Sequence, residues 1–559
     1  MRLGIAIVVT SFVSISSYAG VQEYYDQLDK INFFLADAIA HRNSLACEGA
    51  ELTLSCGNGI CEPNSGEDST NCPADCINSP VKSYDHSMVC DAIRQYFEPI
   101  TLSQVQEIIN YAINSRVSVR VVGNRHTVND SYCTDGIVIS TAKLNRIIGV
   151  VKEPDGSESV VVEPGVAMGD LSNWLHARKR SLGYAVFGFR LATVGGAIAT
   201  AAHGSSPNHT DVISNIVKAV TIVDGTGAIR NLSETVMPEA LKAARTHLGL
   251  LGAVVRIKLA IQPQFQLHVT FTSDDDDDLV NGSGIFAQIK GCDYATMNWF
   301  PNSNRFVKSC GVQTNQPAER GAENTLLTPP VPSILTQPYK VALHYGMCVE
   351  TLNELLEGAR YLQLLWIPPF QKADSLGVIS STNDAIGYSH LMMSSALIQT
   401  EDKFFMNDWE LAVPHQNAQA AIQAVSKYAA QNGIRLPLVG VFLRFAPSED
   451  LALLAHTTSV GAFKKGEAAV FFEFPTPAPV GFSDPHTRAI NAVYEDLARI
   501  LIIDFGARPH WGKNKDFAFA LEQAQGAFGG NFGRFQKVKD QFDPLKLFMT
   551  PFDVNAGFR

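Results

Sequence analysis

Three short segments carry the residues best placed to do chemistry. Gly123-Asn124-Arg125-His126-Thr127 follows the apolar run Val117 to Val122. A glycine-led turn at a strand end lets successive backbone N–H groups converge on a phosphate, and this one presents an imidazole beside the anion. The segment Thr193 to Ser206 repeats the theme. Gly195, Gly196 and Gly204 permit close backbone approach, and Thr193, Thr200 and Ser205 offer hydroxyl donors. Together these turns suit a dinucleotide. Far downstream, His510-Trp511-Gly512-Lys513 sets a cation beside an indole and a nearby apolar run, unlike the setting of a solvated surface lysine.

The elements that must position these segments are legible from periodicity. Short apolar runs at Val117 to Val122, Gly136 to Ile139, Val160 to Glu163, Val217 to Val223 and Val254 to Ala260 predict strands. Leu102 to Ile113 and Met168 to Arg178 predict helices, so the pattern is α+β. With 559 residues and 46% apolar content the chain exceeds one hydrophobic core and divides into two large domains. A net charge of −11 argues against a nucleic-acid surface and for a small-molecule partner.

At the N-terminus, a basic start, the apolar run Leu3 to Val13 and Ser17-Tyr18-Ala19 predict a secretory signal peptide over 1–19. No later run is long enough to cross a bilayer. A helix and a cysteine-rich module should fill 20–88. Six of the ten cysteines fall between Cys47 and Cys90, and the stretch around Cys56, Cys61, Cys72 and Cys76 has almost no apolar residues to bury. Disulfides in an oxidising compartment therefore substitute for a core, and the spacing matches no common zinc finger. The acidic run Asp274 to Asp278 reads as solvated charge, since adjacent like charges repel.

From Val89 to Phe552 the chain resembles the aldonolactone oxidase branch of the vanillyl-alcohol-oxidase type FAD proteins. The motifs that carry the likeness are the turn at His126, Thr193-Val194-Gly195-Gly196 through His203-Gly204-Ser205, and His510-Trp511-Gly512-Lys513. The resemblance implies a PCMH-type FAD-binding domain at 89–263, a substrate cap at 264–500 and a C-terminal segment at 501–559 that returns to the flavin. It also implies a covalent histidyl bond from His126 to FAD. Gly123, Asn124, Arg125, Thr127, Thr193, Gly195, Gly196, Thr200, Gly204, Ser205 and Val254 would stand around the cofactor. His203 would be structural beside it, and Leu191-Ala192 leaves no cysteine for a second flavin bond.

For the reaction, the resemblance makes Lys513 a fixed cation by the flavin ring, with His510, Arg444 and Glu410 beside it. Three departures stand out. The family pattern has glycine where this chain has Arg125, and arginine adopts a positive φ less cheaply. The family's Glu-x-Arg pair reads here as Phe442-Leu443-Arg444, which removes a carboxylate acceptor for substrate hydroxyls. Ala142 falls where oxidases of the family often have glycine and where an alanine restricts oxygen access.

The expected protein is a secreted or periplasmic FAD oxidoreductase that takes a hydride from a CH–OH group of a sugar lactone, polyol or related alcohol to flavin N5. Oxygen or another acceptor would reoxidise it. Rival readings are a sterol or other apolar alcohol as substrate, which Phe442 leaves room for, a reductase of the same FAD fold fed by a nicotinamide, and a secreted binding protein with a degenerate flavin domain.

Overall fold

A computed structural model describes residues 81–84, 88–90, 93–185, 188–326, 368–394, 406–432, 440–477 and 485–559. The signal segment, the N-terminal helix and the four module cysteines lie outside the described residues.

The first structural unit opens with β1 (Gln95–Phe97), α1 (Leu102–Ser115), β2 (Val119–Val122) and β3 (Ile137–Ser140), in which β3 lies between β1 and β2 in a parallel sheet. Thr101 caps α1 by accepting the Gln104 N–H at 3.2 Å, and Arg116 ends it in a left-handed conformation at φ 52°. Val105, Ile109 and Ala112 recur at helical spacing and bury against Val119, Ile137 and Ile139. The helix thus fixes the strand that delivers Gly123. A disulfide joins Cys90 to Cys133, 43 residues apart, around this turn.

An antiparallel sheet follows. It is built from β4 (Ile147–Lys152), β5 (Glu158–Val162), β6 (Val217–Val223), β7 (Ile229–Ser233) and β8 (Ala253–Pro263), ordered β7-β6-β8-β5-β4. Between β5 and β6 the chain forms α2 (Met168–His176) and α3 (Val194–Ala199). Val160, Val162, Val220, Ile222, Ile257 and Leu259 share one core with Leu171 and Leu175 of α2 and with Trp511, Phe535 and Phe552 near the C-terminus. The predicted strands and helices of this half all form, with ends shifted by a few residues as fraying allows.

Two residues after β8 the chain enters an eight-stranded antiparallel sheet with β9 (Gln266–Asp275). Its other strands are β10 (Tyr294–Phe300), β11 (Arg305–Thr314), β12 (Asp384–Tyr388), β13 (Glu410–Val413), β14 (Val441–Pro447), β15 (Ala468–Glu473) and β16 (Arg508–Pro509), ordered β12-β9-β11-β10-β14-β15-β13-β16. Strand periodicity sorts the two faces. Val441, Leu443 and Phe445 of β14 join the core beneath the long helices Ala418–Asn432 and Pro485–Phe505, leaving Phe442 and Arg444 on the opposite face. A second disulfide, Cys292–Cys310, links the lead-in to β10 with β11.

The acidic run is not simply solvated. Asp274 and Asp275 close β9, Asp276 accepts the Trp299 indole N–H at 2.8 Å, and Asp278 accepts from Ser283. Among the described residues no helix is long and apolar enough to cross a membrane.

Candidate active site

The glycine turn and the C-terminal segment meet. The Val128 N–H donates to the Gly512 carbonyl at 2.9 Å, and the Asn129 amide donates to the carbonyls of Trp511 at 3.0 Å and Asn514 at 2.9 Å. Lys515 reaches back to the Val128 carbonyl at 3.0 Å. Arg508, fully buried, fixes the incoming strand by donating to the carbonyls of His456, Thr458, Val460 and Ala527.

A cleft of about 1420 Å³, counted with its open mouth, runs between these segments. Gly123, Asn124, Arg125, His126, Thr127, Thr193, Gly195, Gly196, Thr200, His203 and Val254 line it, with Arg444, His510 and Lys513. Its lining runs from both glycine turns to the C-terminal segment, an extent that suits an elongated molecule. The His126 imidazole stacks on Tyr84 at 4.8 Å between centroids and meets Phe189 edge-on at 5.3 Å, so its ring is held at the cleft.

Arg125 departs from expectation. It adopts the left-handed conformation at φ 55°, the geometry a glycine would take there, and its carbonyl accepts the Tyr84 N–H at 3.0 Å. Gly204 and Ser205, expected around the cofactor, do not line the cleft. The Gly204 N–H is spent on the Asp211 carbonyl, while the Ser205 hydroxyl donates to the Ala295 carbonyl and accepts the Phe445 N–H at 3.1 Å. Ser205 thereby ties the two units together. Ala142 is on an exposed turn outside the lining.

Behind Arg444 and Lys513 stands a group of carboxylates. Glu410 is fully buried and contacts Arg444, Lys513 at 3.2 Å and His203 at 3.1 Å. Glu473 contacts Arg444 at 2.7 Å and also Lys513, and Asp408 reaches Lys513 at 3.2 Å. Glu410, Glu473 and Asp408 are thus partners of the cations and stand behind the cleft lining.

Charge balance sets the protonation. Burial would lower the Lys513 ammonium, but Asp408, Glu410 and Glu473 outweigh it and hold the pKa above the ordinary lysine value. Burial would raise Glu410, but Arg444, Lys513 and His203 keep it well below the usual carboxylate range. Asp408, where burial wins over Lys513, is pushed up to about 7. Burial draws His203, His456 and His510 down. His510 Nδ1 accepts the Gly512 N–H at 3.0 Å, so the neutral ring carries its proton on Nε2.

Residues 93–233 match the family model described as FAD binding domain, and residues 257–555 match that of D-arabinono-1,4-lactone oxidase. The chain belongs to the D-arabinono-1,4-lactone oxidase family. It is an FAD-dependent oxidoreductase. L-gulonolactone oxidase of Bos taurus is 26% identical over 82% of this chain and 93% of its own length. Probable L-gulonolactone oxidase 1 of Arabidopsis thaliana is 26% identical over 85% and 81%. A solved structure titled solvent-stable cholesterol oxidase shares the fold, with a TM-score of 0.68 at 17% identity over 86% of this chain and 97% of that one.

For a member of this family the cleft fits FAD. A side chain at Gly123 would overlap the Thr193 hydroxyl, and a Cβ at Gly195 would lie 2.7 Å from the Pro164 Cβ, so the backbone there can only be bare. Among the described residues no turn or loop hydrogen bond uses the N–H groups of Gly123, Asn124, Arg125 or Thr127, which leaves them for an anion.

Sequence reasoning passed over Asp408, Glu473 and His456. Glu473 left a usable signal, as the lone charge in the buried strand Ala468 to Phe474.

Proposed function

We propose that the protein oxidises a CH–OH carbon of a sugar lactone or closely related polyol, with oxygen or another acceptor completing the cycle. The observation that carries this reading is the pair of cations, Lys513 and Arg444, set in the wall of the FAD cleft and backed by buried carboxylates. FAD, when bound, supplies the two-electron acceptor for the substrate hydride. Lys513 offsets negative charge as it builds, which a fixed, desolvated ammonium does far better than water. Arg444 holds the substrate oxygen and stabilises it as the O–H proton departs. His510 donates from Nε2. Of the carboxylates behind the cations, Asp408, pushed up to about 7, is the one suited to take up a proton near neutral pH.

His126, clamped between Tyr84 and Phe189, is the proposed point of covalent flavin attachment. Acid precipitation should leave the protein yellow, with the label on the His126 peptide. Flavin released wholly into the supernatant would defeat the bond. Secretion is proposed from the N-terminal segment and is supported by two disulfides among the described residues.

Anaerobic mixing with a panel of aldonolactones, polyols and apolar alcohols tests the activity. Bleaching by lactones or polyols is expected. Bleaching by apolar alcohols alone would transfer the reading to that class.

A further inference from the structure

The chain lacks a glutamate two residues before Arg444, yet a carboxylate contacts that arginine from the neighbouring strand. Asn298, Phe442, Glu473 and Glu410 are successive partners across β10, β14, β15 and β13. Directly opposed residues of antiparallel strands share a face, with Cβ atoms about 5 Å apart. A carboxylate moved from position 442 to 473 therefore keeps its face and its row and shifts by a single strand.

We propose that Glu473 is this relocated carboxylate, and that it determines specificity by accepting a hydroxyl of the substrate. The proposal rests on the lactone or polyol reading above. Glu473 touches both cations of the cleft wall, Arg444 through one oxygen at 2.7 Å and Lys513 through the other. An ionised carboxylate has about four acceptor positions, so two remain. Glu410 is a poor candidate for the same task. Its side chain is 0% exposed and serves Arg444, Lys513 and His203, whereas the Glu473 side chain keeps 10% exposure.

Phe442 fixes the other side of the preference. It packs with Leu267, Tyr294 and Phe300 in an apolar cluster, so the vacated position offers no acceptor. The matching substrate has a hydroxyl toward Glu473 and an unsubstituted or apolar carbon toward Phe442. Two glutamates opposed on adjacent strands would ordinarily repel. Arg444 and Lys513 each contact both of them, and with Glu473 neutralised these cations would still face Glu410 and Asp408. The fold should therefore survive the test.

The test uses the flavin-loaded full chain, D-arabinono-1,4-lactone and its monodeoxy analogues, with flavin bleaching followed without oxygen. Glu473→Gln should raise the substrate concentration for half-maximal reduction by about tenfold to a hundredfold, as expected for one hydrogen bond to a charged group. The limiting rate should change less. One deoxy analogue should show no difference between wild type and variant, a selectivity that a purely structural glutamate would not give. Swapping the pair in Phe442→Glu/Glu473→Phe should recover at least tenfold of the loss caused by Glu473→Phe alone. Equal penalties for every analogue, or a double variant no better than the product of its singles, overturns the role of Glu473 while leaving lactone oxidation standing. A wild type bleached by none of these lactones overturns both.

Discussion

The cofactor cradle and the charged row of the cap sheet lie against each other, and they are built on opposite principles. The cradle at 123–127 and 193–203 presents backbone N–H groups, bare glycines and hydroxyls. The row assembles Asp408, Glu410, Glu473, Arg444 and Lys513 from four separate stretches of chain, all nearly buried. A backbone site tolerates changes of side chain as long as φ and the Cβ space are kept, and Arg125 at φ 55° is such a change. A buried charge lattice does not. Each member compensates others, so removing one strands a charge away from water.

The largest effect should fall on the lattice. Glu410→Gln removes the carboxylate enclosed by two cations and a histidine, and about 3 kcal/mol of stability should go with it, seen as a lower unfolding midpoint of the flavin-loaded protein. Lys513→Met should next slow anaerobic flavin reduction by roughly 10²–10³, as for loss of one preorganised electrostatic donor, with substrate affinity shifting less. An unchanged reduction rate would take Lys513 out of the chemistry.

Acidity sharpens the contrast. Asp408 sits among Lys513, Glu473 and Glu410, and its carboxyl is pushed up to about 7 from 3.8. The native state therefore keeps a proton that the unfolded chain gives up near pH 4. Stability should decline as pH climbs from about 4 to about 7 and level off above, with a slope of at most about 1.4 kcal/mol per pH unit from this group. Asp408→Asn should flatten that slope. The smallest effect belongs to the cradle. Arg125→Gly relieves a left-handed side-chain residue worth roughly 1–2 kcal/mol and should change stability by no more than that, with flavin retained. A loss of flavin there would erase the distinction between the two regions.

The same difference explains what the primary structure discloses. Turns that act through the backbone need contiguous residues, so Gly123 to Thr127 and Thr193 to His203 could be read directly, as could the strands around them. Arg444 and Lys513 followed from motifs. Glu473 did not, because its partner Phe442 is adjacent only through strand pairing, and the register of distant antiparallel strands is not written in local periodicity. Ser205 misled for the converse reason. It stands in the glycine-rich segment, but its hydroxyl is spent on Ala295 and Phe445.

The bridge from Cys90 to Cys133 encloses the whole flavin turn in a covalent ring. Closing a loop of 43 residues removes chain entropy worth about 4 kcal/mol in the denatured ensemble. His126 stands within that ring, so thiol reductants should loosen the proposed point of flavin attachment. Cofactor loading thereby becomes coupled to the redox poise of the place where the chain matures.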